Sequence, residues 1–203
     1  MTKKFKQLLS AFLTVLMLLS AVPLTAAAAS SDDLEYSISG GKVTITGCDV
    51  YAEGELVIPS EIQGYPVTAI GRGAFNEREI SKITIPATVT SIDTTGGLFN
   101  YCWQLVSIVV DKNNPVYDSR DNCNAIIETA TNTLVCGCQS TVILETVTAI
   151  GDSAFSYCTN LKNIIIPDGL TSIGNSAFGV CPELKTITIG SGMKKIAENA
   201  FSP

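Results

Sequence analysis

The sequence predicts an α/β solenoid, in which a ladder of parallel β-strands alternates with short helical turns. Two observations predict it: residues of the same type recur every 23 positions, and apolar residues alternate within short segments rich in β-branched residues. Ile150, Ile173 and Ile196 keep this interval, and an Ala-Phe pair recurs at 154–155, 177–178 and 200–201. One such unit cannot bury its own apolar side, so successive units are expected to stack.

Each repeat predicts one strand followed by one turn. Ile164 and Ile166 share one face of an extended segment, and Pro167 ends it because proline cannot donate the next ladder hydrogen bond. Asn175 or Ser176 is expected to cap a short helical turn that carries the next Ala-Phe pair. The phenylalanine then fills the interior, where stacked repeats form columns of identical residues.

Three of the seven cysteines, Cys102, Cys158 and Cys181, occupy one repeat position and are interpreted as small apolar core residues. Export permits disulfides, and an odd number of cysteines leaves at least one thiol free. Alternation also places Cys136 and Cys138 on one face of a strand, which is expected to point inward.

Two hairpins are predicted, one before the first repeat and one within the repeats. Residues 34–47 alternate on both sides of two glycines, which predicts a β-hairpin within an N-terminal cap at 30–55. Within an irregular insert at 111–139, the segments 124–128 and 133–137 predict a second hairpin. This hairpin is either a modified rung of the ladder or a projection. The rung is favoured because four of its apolar residues require burial: Ile126, Ile127, Leu134 and Val135.

The first 29 residues predict a secretory signal peptide. Three lysines among the first six residues precede an apolar run at 8–19, and small residues at 26–30 offer a cleavage site. The apolar run is shorter than the roughly 20 residues that a membrane span requires, which argues against an anchor. No second apolar stretch follows that is long enough to span a bilayer, so we expect a secreted protein, whether released or held at the cell surface.

Charge and composition exclude several functions. Residues 1–29 contain three of the 13 basic residues and none of the 19 acidic ones, so the mature chain has a net charge of −9. Such a balance repels phosphate backbones and anionic lipids, which argues against nucleic acid as a partner. The chain has no histidine, which excludes Ser-His-Asp catalysis and histidine-ligated zinc. We predict no enzyme activity and no cofactor.

The pattern Leu-x-x-Ile-x-Ile-Pro-x-x-Leu-Thr-Ser-Ile-Gly-x-x-Ala-Phe-x-x-Cys, which runs from Leu161 to Cys181, resembles the leucine-rich repeats of the BspA-like surface antigen family. The resemblance covers residues 56–203. It implies a leucine-rich-repeat horseshoe and export by gut or oral bacteria; some members of the family are adhesins for host matrix proteins. Residues 93–97 and the insert at 111–139 depart from the pattern, so we expect irregular curvature across the middle.

The predicted function is that of a secreted or cell-surface module that binds a host protein or glycan. The parallel strands are expected to present their outward residues on one concave surface, with three lysines contributing positive charge. The predicted ligand-binding residues are Lys82, Thr84, Val109, Lys162, Asn163, Ile165, Lys185, Thr186 and Thr188.

Two other functions remain open from the sequence. The repeats are either a binding module or a structural spacer within a larger secreted protein, and a secreted enzyme is the third and weakest alternative. The last repeat stops two residues after Phe201 without the end cap that solenoids need. Self-association through this C-terminal rung is therefore also expected.

Overall fold

The computed structural model describes residues 31–202. The predicted signal peptide lies outside the described residues. Two short 3₁₀ segments occur at Ser31–Asp33 and Arg120–Asn122. The strands are β1 (Leu34–Ser39), β2 (Lys42–Cys48), β3 (Glu53–Val57), β4 (Glu61–Ile62), β5 (Tyr65–Ile70), β6 (Glu79–Ile85), β7 (Ser91–Ile92), β8 (Ser107–Val110), β9 (Tyr117–Asp118), β10 (Ala125–Glu128), β11 (Thr133–Gly137), β12 (Ala149–Ile150), β13 (Asn163–Ile166), β14 (Ser172–Ile173), β15 (Thr186–Ile189) and β16 (Lys195–Ile196).

Successive repeats stack into two parallel ladders, which confirms the predicted solenoid. Each regular repeat contributes a four-residue strand to one ladder and a two-residue strand to the other, as β13 and β14 do. The longer strands form two separate sheets, β3-β6-β8 and β13-β15. The shorter strands lie in a sheet of order β16-β14-β12-β11-β10-β9 and in a sheet that joins β5 and β7 to the N-terminal strands.

The predicted columns of identical residues are present in the C-terminal repeats. Ile150 pairs with Ile173, which pairs with Ile196 on the next strand. The rings of Phe155 and Phe178 stack with centroids 5.0 Å apart, and Phe201 follows Phe178 at 5.2 Å. Because burying each such side chain contributes about 1.5–3 kcal/mol, the columns are a main source of stability.

The predicted helical turns are wrong, because the Ala-Phe segments form turns instead. Their N–H groups donate to the next repeat rather than back along a helix: Phe155 N–H donates to Ala177 O at 2.7 Å, and Phe178 N–H to Ala200 O at 2.8 Å. Ser176, predicted to cap a helix, has φ 49° and donates its N–H to Asn199 O. Hydrogen bonds between repeats therefore replace the i→i−4 bonds that a helix needs.

The predicted N-terminal hairpin is confirmed. Strands β1 and β2 pair antiparallel, and both glycines of the connection, Gly40 and Gly41, have positive φ. Strand β2 then pairs in parallel with β5. The hairpin is thus continuous with the ladder of short strands at its N-terminal end.

The insert hairpin is confirmed as a rung of the ladder, because β10 and β11 pair antiparallel and β11 pairs in parallel with β12. Its side chains alternate between two hydrophobic cores. Ile126 and Cys136 pack in the core of the N-terminal half. Ile127 and Leu134 pack in the core of the C-terminal half. The hairpin therefore separates the two cores and belongs to both.

Candidate ligand-binding face

The outward residues of the longer strands form the surface that the sequence predicted for ligand binding. Two rows cross β3, β6 and β8: one joins Glu55, Lys82 and Ser107, and the other joins Val57, Thr84 and Val109. On β13 and β15, Asn163 pairs with Thr186 and Ile165 pairs with Thr188. We call these ten residues the strand face.

Apolar side chains are exposed at one repeat position of the strand face. Ile165 is 70% exposed, Val57 is 55% exposed and Val109 is 36% exposed. Val142 precedes Ile165 by one repeat of 23 residues and is 60% exposed. Threonines occupy the same position in the neighbouring strands, so the row is β-branched throughout and presents methyl groups to solvent.

Acidic partners lower the positive charge that the three lysines were expected to supply. Lys82 Nζ lies 3.2 Å from Glu55 Oε2, and Lys185 Nζ lies 3.6 Å from Glu183 Oε2. Lys162 forms no ion pair within residues 31–202 and is exposed immediately before β13. Exposed pairs of this kind contribute little stability, but they neutralise charge locally. Lys162 is the free cation among the three.

The predicted single surface is divided into two parts. Lys82, Thr84 and Val109 lie on β6 and β8, whereas the remaining predicted residues lie on or just before β13 and β15. The sheets do not pair with each other, because the insert lies between them in sequence and its hairpin joins the other ladder. A ligand that contacts both parts must bridge the irregular middle of the molecule.

The cysteines are buried or partly buried, and all seven are free thiols. Burial raises the pKa of Cys48, Cys102 and Cys181 to about 11, and that of Cys158 further still. A protonated thiol is a poor nucleophile, so these groups are unsuited to catalysis near neutral pH. The placement of Cys136 and Cys138 on one inward face is confirmed, since both are buried.

Neither a metal centre nor a membrane helix is found in the part of the chain that the structure describes. Within residues 31–202, no three acidic, cysteine or histidine side chains are grouped so that they could hold a metal ion. Over the same residues, no helix combines the length and the apolar character needed to cross a bilayer.

The last described repeat exposes the apolar residues on which the expected self-association depends. Ile189, Ile196 and Phe201 are each about two-fifths exposed. An open pocket of about 420 Å³ at this end of the chain is lined by Phe178, Leu184 and Phe201 among others. These residues continue the inward columns of the preceding repeats, in which their counterparts are buried.

An aromatic group at the junction of the two halves was not predicted from the sequence. Tyr101 and Trp103 are exposed on either side of buried Cys102. The ring of Tyr101 contacts that of Tyr157, with centroids 4.6 Å apart. A signal was present, because the dipeptide Tyr-Cys occurs at both 101–102 and 157–158.

Solved structures of bacterial leucine-rich-repeat proteins are similar to this chain. A leucine-rich-repeat protein of T. pallidum is 20% identical with a TM-score of 0.42, over 85% of this chain and 65% of its own length. A leucine-rich cell surface protein of Faecalibacterium prausnitzii is 24% identical with a TM-score of 0.48, over 84% of this chain and 44% of its own. The pneumococcal vaccine antigen PcpA is 11% identical with a TM-score of 0.47, over 83% and 71%.

This chain spans less than two thirds of the T. pallidum and F. prausnitzii proteins. No curated protein matches the chain. The family model described as "BspA type Leucine rich repeat region" matches six copies, over residues 55–131 and 132–203. These matches cover most of the sequence and include the three regular repeats. The chain therefore belongs to the BspA-type leucine-rich-repeat family.

Proposed function

We propose that this chain is an exported protein-binding module, presented at the cell surface or released, whose strand face binds a host protein. The observation that carries the proposal is the row of exposed β-branched side chains, in which Ile165 is 70% exposed. Isolated exposed apolar residues are ordinary, whereas β-branched residues aligned across neighbouring open strands, as in each of the two sheets, are typical of an interaction surface. The signal-peptide pattern and the family membership support the extracellular location.

The polar residues beside this row supply the remaining features of a protein interface. Asn163 and Thr186 offer hydrogen-bonding groups next to Ile165 and Thr188. Lys162 adds a free positive charge at the edge of β13, on a protein whose mature chain is otherwise acidic. An apolar centre with a polar and charged rim is the usual arrangement of protein–protein interfaces. An acidic or neutral protein surface is the partner that this charge pattern fits.

The test is to measure binding of the chain to immobilised fibronectin, type I collagen and mucin, with Ile165→Asp as the test variant. Placing a charge in the centre of the apolar row is expected to weaken binding at least about tenfold, or roughly 1.4 kcal/mol. Ile38→Asp is the matched control, since Ile38 is 39% exposed on β1, which belongs to the other ladder. Unchanged binding by Ile165→Asp, or equal loss in both variants, contradicts the proposal.

The charge of the face is tested separately with the double variant Lys162→Glu and Lys185→Glu. Rim charges act mainly on the association rate, so we expect slower association and a weaker dependence on salt. Lys194→Glu is the control, because Lys194 is exposed and precedes β16 in the other ladder. An unchanged association rate in the double variant removes the lysines from the binding face.

A further inference from the structure

The aromatic group at the junction has features that the regular repeats lack. Tyr101 and Tyr157 contact each other at a ring-centroid distance of 4.6 Å, with their planes inclined by 43°. Tyr101 is 39% exposed and Trp103 is 45% exposed. Large aromatic rings are costly to leave in water, so their exposure together at one place requires an explanation.

The repeat itself accounts for the position of the two tyrosines but not for their identity. Both have left-handed backbones, with φ of 60° at Tyr101 and 56° at Tyr157. The same repeat position is occupied by Glu77 and Val180, which also have positive φ. Each of these four residues donates its N–H to the adjacent repeat. The backbone therefore fixes an outward side chain at every turn, and only the junction has two neighbouring aromatic rings.

Three segments of the chain converge to hold the aromatic group in place. The carbonyl oxygen of Trp103 accepts a hydrogen bond from Gln139 Nε2 at 3.0 Å and another from Asn160 Nδ2 at 2.9 Å. Tyr101 N–H donates to Tyr157 O at 3.4 Å. Gln139 ends the insert and Asn160 belongs to the C-terminal half, so both the insert and the C-terminal half hold the backbone of Trp103 in place. Such anchoring lowers the entropic cost of ligand binding.

The chemistry of the group favours a neutral ligand rich in hydroxyls. Burial, the neighbouring Tyr157 and the carboxylate of Glu77 raise the pKa of Tyr101, so Glu77 places negative charge beside the rings. Arg78 brings a positive charge near Cys102, but the mature chain carries a net charge of −9, which opposes phosphate or sulfate groups. The tyrosine rings contact each other and leave no gap to enclose a cation, as an aromatic cage would. The amides of Gln139 and Asn160 each retain a second N–H donor and an oxygen acceptor.

We propose that Tyr101, Trp103 and Tyr157 form a stacking site for a neutral saccharide. The C–H face of a pyranose ring stacks on an exposed aromatic ring, and its hydroxyls bond to nearby amides and phenols. This site shares no residue with the strand face, although Asn160 lies only two positions before Lys162. The chain thus carries a saccharide site in addition to its protein-binding face, and either can be lost without the other.

Tryptophan fluorescence reports on this site alone, because Trp103 is the sole tryptophan of the chain. Cellotetraose, chitotetraose and mannotetraose are titrated into the full chain, with Trp103 fluorescence and saturation-transfer NMR as readouts. At least one of them is expected to change the fluorescence saturably in the millimolar range or tighter. Tyr157→Ala is expected to weaken that binding about tenfold or more. Tyr51→Ala is the matched control, since Tyr51 is 87% exposed outside the group.

Trp103→Ala, followed by NMR alone, provides a second variant at an exposed position in case Tyr157→Ala fails to fold. Ile165→Asp is expected to leave saccharide binding unchanged, which separates this test from that of the strand face. The proposal is overturned if none of the three saccharides binds, or if Tyr51→Ala weakens binding as much as Tyr157→Ala. It is also overturned if a polyproline peptide changes the fluorescence while the saccharides do not.

Discussion

The phenylalanine columns of the two halves differ in their regularity. In the C-terminal half, Phe155, Phe178 and Phe201 are 23 residues apart and stack at 5.0 and 5.2 Å, with their planes inclined by 6° in each pair. In the N-terminal half, Phe75 and Phe99 are 24 residues apart, with centroids at 5.8 Å and planes inclined by 22°. A constant repeat length lets identical residues stack in one geometry, and a change of one residue already alters that geometry.

At the junction between the halves, Phe155 packs against a glycine and not against another phenylalanine. Gly137 N–H donates to Ala154 O, which places this glycine beside the turn that carries Phe155. A Cβ atom at Gly137 would overlap Phe155 Cε1, so the phenylalanine ring occupies the space that a side chain would need. The two halves are therefore in contact at a second place besides the shared hairpin, where the ring of Phe155 packs directly against the backbone of Gly137.

The largest difference within one column is expected between Phe155→Ala and Phe201→Ala. Phe155 is 1% exposed, so its truncation is expected to cost about 3–5 kcal/mol in the free energy of unfolding. Phe201 is 38% exposed and loses fewer contacts, so its truncation is expected to cost less than about half of that. Urea unfolding of both variants measures the difference. Equal losses would show that the column does not stabilise the chain through burial.

Gly137→Ala tests the junction directly. The added methyl group clashes with Phe155, and overpacking of this kind is expected to cost about 1–3 kcal/mol. Gly151→Ala is the matched control, since its Cβ would lie 3.4 Å from Leu134 O, an ordinary contact distance. Both variants are compared by urea unfolding. A Gly137→Ala protein as stable as the control would mean that Phe155 has room to move.

A smaller effect is expected from Asp118→Asn in the insert. Arg120 donates to both carboxylate oxygens of Asp118, from Nε at 2.8 Å and from Nη2 at 2.7 Å. Burial alone would raise the pKa of Asp118, but the hydrogen bonds and charge of Arg120 outweigh it and lower that pKa. Losing the charged partner is expected to cost about 1 kcal/mol.

The sign of the associated pH dependence follows from the lowered pKa. A carboxyl group with a depressed pKa in the folded state stabilises that state above its unfolded pKa of about 3.8, and this contribution is lost as the pH falls through the folded value. The difference in unfolding free energy between wild type and Asp118→Asn is therefore expected to shrink below pH 3.8. A difference that stays constant with pH would contradict the role of the charge.

Reducing agent is expected to have no effect on stability, in either half. All seven cysteines are free, and the thiols of Cys102 and Cys181 donate to the carbonyl oxygens of Phe75 and Phe155. Seven thiols are expected to titrate after unfolding in denaturant without reductant. A shift of the unfolding midpoint on reduction, or a titration of one thiol or none, would show that disulfides form instead.

The regular period allowed the sequence to predict the columns and the ladders, because residues 23 apart are neighbours wherever the period holds. It could not predict the turns, because the N–H groups of Phe155 and Phe178 bond to other repeats, and local capping signals do not report such partners. The two hairpins were predictable from local alternation. The contact of Tyr101 with Tyr157 was not, since these residues are 56 positions apart and the insert between them breaks the period.

The division of the strand face into two sheets also could not be predicted from the sequence. The departure at 111–139 indicated that the middle is irregular, but not that β10 and β11 would join the ladder of short strands. That outcome depends on alternate side chains, with Ile126 entering one core and Ile127 the other. A hairpin with both faces apolar fits between two cores, and this arrangement leaves β8 and β13 in separate sheets.

Native-state hydrogen exchange on Ile126→Ala tests most directly whether the hairpin makes the two halves one cooperative unit. Ile126 packs in the N-terminal core, and its truncation is expected to cost about 2–5 kcal/mol. If the halves unfold together, the variant lowers the free energy of opening of the best-protected amides by the same amount in β6 and in β13, although β13 lies in the other core. Loss of protection in β6 with β13 unchanged would contradict the account and show two independent half-solenoids.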